Sequence, residues 1–198
     1  GDNWPDHYRG QLFTLNLHGA RVNQESLHPH DSSYVAKHGE DIFMANDDWF
    51  RGLSIKYGPD GGVYITDWHD FGECHDNDGS HRTSGRIYKM TYGKPPEVRI
   101  DIQTLGEEKL VQLLTHKNEW FVRHARRILQ ERSSQQAQQG QAGKLIRERL
   151  ENGRLTEVQT LRYIWTLYGM GQLSEEDLIR WSHHPLETVR MWAVKLLF

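Results

Sequence analysis

The stretch Gly52-Leu-Ser-Ile-Lys-Tyr57, Gly58-Pro-Asp-Gly-Gly62, Val63-Tyr-Ile-Thr66 decides the fold: two β-prone runs flank a dense cluster of turn formers. Beyond it a long polar loop, Asp67 to Ser84, leads to a third run, Gly85-Arg-Ile-Tyr-Lys-Met-Thr91, so three antiparallel strands are expected. Upstream, Gln11 to Leu17 and Arg21 to Leu27 flank His18-Gly19-Ala20 and predict a hairpin. So few short strands do not close a sandwich or barrel alone, and a small sheet with both faces partly apolar needs neighbours to cover it.

The 198-residue chain changes character after Gly93. Residues 1–93 carry 8 Lys+Arg and 14 Asp+Glu, whereas 94–198 carry 16 and 13. Twelve of the 18 glycines and eight of the 12 histidines fall in the first part, while the second is rich in Leu, Arg, Gln and Glu. The reading is an α+β multidomain chain: a β-domain at 1–93, a linker at 94–104 opened by Lys94-Pro95-Pro96, and helices over 105–198. The helical part repeats itself. Leu105-Gly-Glu-Glu-Lys-Leu-Val111 returns as Leu173-Ser-Glu-Glu-Asp-Leu-Ile179, and the segment Val122 to Leu129 returns as Val189 to Leu197 with a one-residue slip. Two further helical segments, Ala142 to Leu150 and Val158 to Tyr168, lie between them, giving helix pairs of roughly 34 residues, the logic of an α-solenoid. The apolar face of Trp192, Val194, Leu196, Leu197 and Phe198 has no polar capping repeat, so the chain is expected to be a fragment of something longer.

Composition closes off several classes. The single Cys74 excludes an internal disulfide, a four-cysteine zinc site and a c-type haem attachment pair; Glu73-Cys74-His75 is only a lookalike of the haem motif. No apolar run approaches the length of a membrane helix, and Gly1-Asp2-Asn3-Trp4-Pro5 lacks signal-peptide features. A formal charge of −3 argues against nucleic acid as a partner. Neither a P-loop, a dinucleotide fingerprint, a nucleophile elbow nor a zincin motif occurs, so the chain alone is not expected to be a complete enzyme.

The loop Asp67-Trp-His-Asp-Phe-Gly-Glu-Cys-His-Asp-Asn-Asp-Gly-Ser-His81 holds four aspartates, one glutamate, three histidines and the cysteine. Such an oxygen-rich set suits Ca²⁺, and Asp67, Asp70, His75, Asp76 and Asp78 are the candidate metal ligands. Asp76-Asn77-Asp78-Gly79 follows part of the calcium-loop spacing without completing it. A transition metal on His69, Cys74 and His75 is a second reading, and a purely structural loop of side chains bonded to backbone N–H groups is the third. No catalytic residue and no cofactor-binding residue is identified.

Lesser candidates carry structural readings. Asp47 and Asp48 either hold a cation or pair with Arg51 and Arg86; Trp49, Phe50 and Trp68 are expected to pack beneath the sheet or against the first helices. His28 and His30 flank Pro29 in an expected turn. Arg123, Arg126, Arg127 and Arg132 form a basic stripe that meets either an acidic partner or the nearby Glu107, Glu108 and Glu119. The run from Gln135 to Gln141 reads as an exposed inter-repeat linker.

Trp49 to Trp68, followed by Ser84-Gly-Arg-Ile-Tyr-Lys89, resembles the last blade of β-propellers in the sorbosone dehydrogenase and soluble quinoprotein glucose dehydrogenase superfamily. With Trp120-Phe-Val-Arg-His-Ala-Arg-Arg127 and Leu161-Arg-Tyr-Ile-Trp-Thr-Leu-Tyr-Gly-Met-Gly171, the chain is similar to the large planctomycete-type membrane-bound dehydrogenases. Those run from a propeller through HEAT repeats to a c-type cytochrome domain. The resemblance implies an exported or periplasmic parent that passes electrons from a carbohydrate-like substrate. It also implies quinone and c-type haem in parts of that parent outside this chain, with the remaining blades and the cytochrome domain as partners. The expected role here is a propeller-closing blade and a helical scaffold between the substrate and haem modules. The alternative is a calcium-stabilised glycan- or protein-binding module with no redox role.

Overall fold

The computed structural model describes residues 2–31, 33–72, 83–135 and 140–198. The chain divides into two compact units, Gly1–Val98 and Arg99–Phe198, and the fold is α+β, with two antiparallel sheets, six α-helices and no closed barrel among the described residues.

In the first unit, β1 (Gln11–Asn16), β2 (Arg21–His30) and β3 (Ser33–His38) form a meander, and the short β4 (Phe43–Met44) joins β2 beside Arg21 and Val22. A second meander consists of β5 (Gly52–Tyr57), β6 (Val63–Asp67) and β7 (Arg86–Met90). The β5–β6 turn is closed by the Gly61 N–H donating to the Gly58 carbonyl at 3.1 Å, and Gly61 sits at φ +76°. A side chain there would also strike Asn3, whose Oδ1 lies 2.1 Å from the Cβ position, so glycine is required twice over. Asp60 locks the same turn, accepting from the Gly62 N–H at 3.0 Å and from Lys89 Nζ at 2.5 Å.

Alternation places Phe13 and Leu15 on the inner side of β1, and Ile55, Ile65, Tyr88 and Met90 inward from the second sheet. The two apolar faces meet around Phe50, Val22 and Ile65, all fully buried. Trp4 ties the N-terminal segment down by donating to the Gly61 carbonyl at 2.9 Å and packing its ring against Tyr8 and Tyr92.

Two details depart from the sequence reading. The first sheet gains β3 and β4 beyond the expected hairpin. His28-Pro29-His30 lies in β2 rather than in a turn; Pro29 is tolerated there because β1 pairs β2 only as far as Ser26, leaving the proline one strand neighbour, Tyr34.

The second unit opens with a 3-10 turn at Ile102–Thr104, which buries Ile102. The helices are α1 (Glu107–Leu113), α2 (Glu119–Gln135), α3 (Ala142–Asn152), α4 (Glu157–Gly169), α5 (Glu175–Trp181) and α6 (Glu187–Leu197). Within the pairs, α1 packs on α2, α3 on α4 and α5 on α6. Between them, α1 meets α3, α2 meets α4 and α4 meets α6. Thr156–Gln159 and Ser174–Asp177 form capping boxes on α4 and α5. Glu107 reaches across to the start of α3, accepting from the Gln141 and Ala142 N–H groups at 2.6 and 2.8 Å. The internal repeat has a structural signature in the histidines: His116 Nδ1 accepts from the Asn118 N–H, and His184 Nδ1 accepts from the Leu186 N–H, each before the last helix of its pair.

Two groups give this unit a pH dependence. Burial pushes the Asp177 carboxyl up, yet the Arg147 guanidinium and the Ser174 cap hold it below its ordinary value of 3.8. Burial, then Arg190, pulls the His184 imidazole below 6.5. In both cases the unfolded chain binds the extra proton, so each contribution is present above the unfolded value and lost as pH falls. The helical transition, followed by circular dichroism, is expected to move down in temperature below pH 6.5 and again below pH 3.8, and His184→Gln should flatten the first step.

Candidate functional site

The chemistry-bearing side chains of the first unit converge where β6 ends and β7 begins. Parity along β6 turns Asp67 to the same side as Ile65, and its carboxylate is wholly buried. Directly opposite in register stands Arg86, the first residue of β7. Asp67 Oδ2 accepts from Arg86 Nε at 2.8 Å, and Oδ1 accepts from the backbone N–H groups of Arg51 at 2.7 Å and His69 at 2.8 Å. Arg86 Nη2 also donates to Asp47 Oδ2 at 2.7 Å, so one guanidinium bridges two carboxylates. Asp47 Oδ1 accepts from the Trp49 N–H at 2.9 Å.

Electrostatics follow from that bridge. The Trp49 N–H, then Arg86, hold the Asp47 carboxyl below its usual range. Desolvation alone would lower Arg86, but the bonds to Asp47 and Asp67 raise it overall, so the guanidinium keeps its charge. Burial raises the neighbouring Tyr88 phenol, and the Arg86 guanidinium stands 5.2 Å from its ring centre.

His69 occupies the left-handed region at φ +56°, an uncommon conformation for a non-glycine residue that its surroundings over-determine. Its N–H is held by Asp67, its carbonyl accepts from Ser84 Oγ at 3.0 Å, its ring lies 5.4 Å from that of Trp49, and its Nε2 stands 3.5 Å from Asp47 Oδ2. Arg51 binds the adjoining loops by donating to the carbonyls of Asp48, Phe50 and Phe71.

Of the expected metal ligands, Asp67 and Asp70 are buried at the base of this loop, and Asp70 Oδ1 accepts from the Gly72 N–H at 3.3 Å. His75, Asp76 and Asp78 lie outside the described residues, as do Cys74 and His81. Among the described residues no group of three His, Cys, Asp or Glu side chains is placed to hold a metal ion. A cation bound at Asp67 would have to displace Arg86 or the two N–H donors, so that carboxylate does not fit a metal-ligand role as arranged. His28 and His30 do not converge: His28 Nε2 meets Ser26 Oγ at 3.0 Å, and His30 lies 3.8 Å from Asp31. Of the three aromatics expected beneath the sheet, Phe50 fills the core, Trp49 covers His69, and Trp68 is 46% exposed because it follows the inward Asp67.

The arrangement supplies an ion-pair brace. Its carboxylates are engaged by donors of the chain itself, and the Ser84 hydroxyl beside His69 is spent on that residue's backbone carbonyl rather than on its ring. In the second unit, a cavity of about 180 Å³ is lined by Leu155, Ile164, Trp181, His184 and Val189. His184 Nδ1 is already occupied there by a backbone N–H. Among the described residues no helix is long and apolar enough to cross a membrane.

Residues 1–94 match DUF7133, a domain of unknown function. The DUF7133 match takes in both sheets entire, since β7 ends at Met90, and it includes every residue of the Asp47–Asp67–Arg86 brace. The chain matches no curated protein and no solved structure.

Proposed function

We propose that this chain is a non-catalytic structural module of a larger, exported dehydrogenase-like protein. In this reading the two sheets of the first unit serve as neighbouring blades at the end of a β-propeller. The helical unit serves as a HEAT-like spacer towards a haem-bearing electron acceptor. The observation that carries the reading is the pair of consecutive antiparallel meanders packed across Phe50, with the far side of the second meander bare: Leu53 is 57% and Ile87 74% exposed. A blade needs a neighbour on each face, and those side chains are what a further blade would cover.

The test uses Ile87→Asp. In the isolated chain it is expected to leave stability within about 0.5 kcal/mol, because the side chain faces solvent. In the full-length parent it is expected to lower the yield of folded protein sharply. Normal assembly of the parent would sink the blade reading, as would reduction of a dye acceptor by this chain alone with quinone and an aldose.

A second reading, a glycan- or protein-binding module, is favoured by one observation: Trp68 and Phe71, 46% and 67% exposed, flank the buried brace as bare aromatic surfaces of the kind sugar rings stack on. Saturable glycan binding lost in Trp68→Ala, together with normal assembly of the Ile87→Asp parent, would replace the first reading with this one.

A further inference from the structure

Most arginines whose contacts are resolved on the helices of the second unit are met by oxygen. Arg127 pairs with Glu131, Arg162 with Glu119, Arg147 with Asp177 and the Gln172 carbonyl, Arg132 with the Leu105 and Gln103 carbonyls, and Arg190 with those of His184 and Pro185. Arg126 differs. Its guanidinium has no hydrogen-bonding or carboxylate partner among the described residues, although its side chain is half-buried. Burial, then the like charge of Arg123, lowers its pKa, which is the mark of a cation held without a counter-ion.

What it does touch is aromatic. The Arg126 guanidinium stands 5.9 Å from the Trp165 ring centre, Trp165 meets Trp192 edge to face at 4.9 Å, and Lys195 Nζ lies 4.7 Å over Trp192. A cation, two indoles and a second cation therefore run across α2, α4 and α6. Trp165 Nε1 is a second donor, buried and without an acceptor.

We propose that this α2–α4–α6 surface docks an acidic protein segment, one of whose carboxylates forms a two-pronged bond with Arg126. Charge complementarity argues for the occupant: the guanidinium offers a planar fork without an internal acceptor, and the charge that acts on it is the like charge of Arg123. The indoles act as walls rather than platforms. Both are half-buried with cations against their rings, an arrangement unsuited to stacking the bases of a single-stranded nucleic acid. The inference needs only the helical unit, so it stands or falls apart from the blade reading.

The test is fluorescence anisotropy of a labelled oligoglutamate peptide titrated with the full chain at low salt. Saturable binding is expected, weakened about tenfold in Arg126→Ala, partly retained in Arg126→Lys and unchanged in Arg127→Ala. Circular dichroism should show the helical unit still folded in Arg126→Ala and Arg126→Lys, so that the loss of affinity reports the guanidinium and not unfolding. The proposal is overturned if no saturable binding occurs or if Arg127→Ala loses as much affinity as Arg126→Ala. Displacement of the peptide by a single-stranded oligonucleotide that binds more tightly would also overturn it.

Discussion

Asp67→Ala is expected to cost the first unit about 3 kcal/mol, the lower end of the range for removing one partner of a buried ion pair. The low end applies because Arg86 is a third exposed and keeps Asp47 as a partner. The remaining damage falls on the backbone: the Arg51 and His69 N–H groups lose their acceptor at the point where β5 starts and β6 ends. Hydrogen exchange of peptides covering β6 and β7 should speed up markedly, while peptides from α4 keep their protection. Asp67→Asn retains an oxygen for the two N–H groups but sets an amide against Arg86 Nε, donor to donor, so a loss of about 1–3 kcal/mol is expected. Both losses should be the same in calcium and in chelator, because the chain itself supplies the donors to this carboxylate. A wild-type chain that lost equal stability on chelation would make Asp67 a metal ligand instead and refute the brace.

The same cluster shows where sequence reading stops. The Gly58–Gly62 turn and the alternation on either side of it fix β5 and β6, because both signals are local. Helices α3 and α4 are legible for the same reason. Strand β3 is not, since all six of its residues are exposed and no buried face imposes a pattern. The brace is partly legible. Asp67 shares parity with Ile65, and Arg86 shares parity with Tyr88, which marks an inward carboxylate and an inward guanidinium; each requires an opposite charge. What parity cannot supply is register, and the contacts span 19 and 39 residues. Asp67 therefore reads as one of many oxygen ligands in an acidic loop until the strands are paired. Arg126 is a similar case: a basic stripe is visible along α2, but which of its members lacks a counter-ion depends on α4 and α6.

Phe50→Ala is expected to be the more damaging change, at about 4 kcal/mol, the middle of the range for deleting a buried phenylalanine. Three fully buried side chains anchor the core between the sheets, and Phe50 is the largest of them. Its ring lies 5.6 Å from Phe43 of the first sheet and 6.0 Å from Tyr88 of the second, so removing it empties the space that couples the two meanders. The backbone is moulded to this ring: a Cβ on Gly52 would come within 2.9 Å of Phe50 Cζ and 3.0 Å of a Leu15 methyl, so the Gly52 backbone is packed tightly against the ring. Against a typical domain stability of about 5–15 kcal/mol, such a loss leaves the first unit marginal. Urea unfolding should then separate into an early sheet transition and an unshifted helical one, read from hydrogen exchange of β6 and far-ultraviolet circular dichroism respectively. Phe50→Leu, which keeps most of the volume, should cost no more than about 1.5 kcal/mol. A single transition that stays in place in Phe50→Ala would mean that the sheets are not held together across this ring, and would remove the physical basis for treating them as stacked blades.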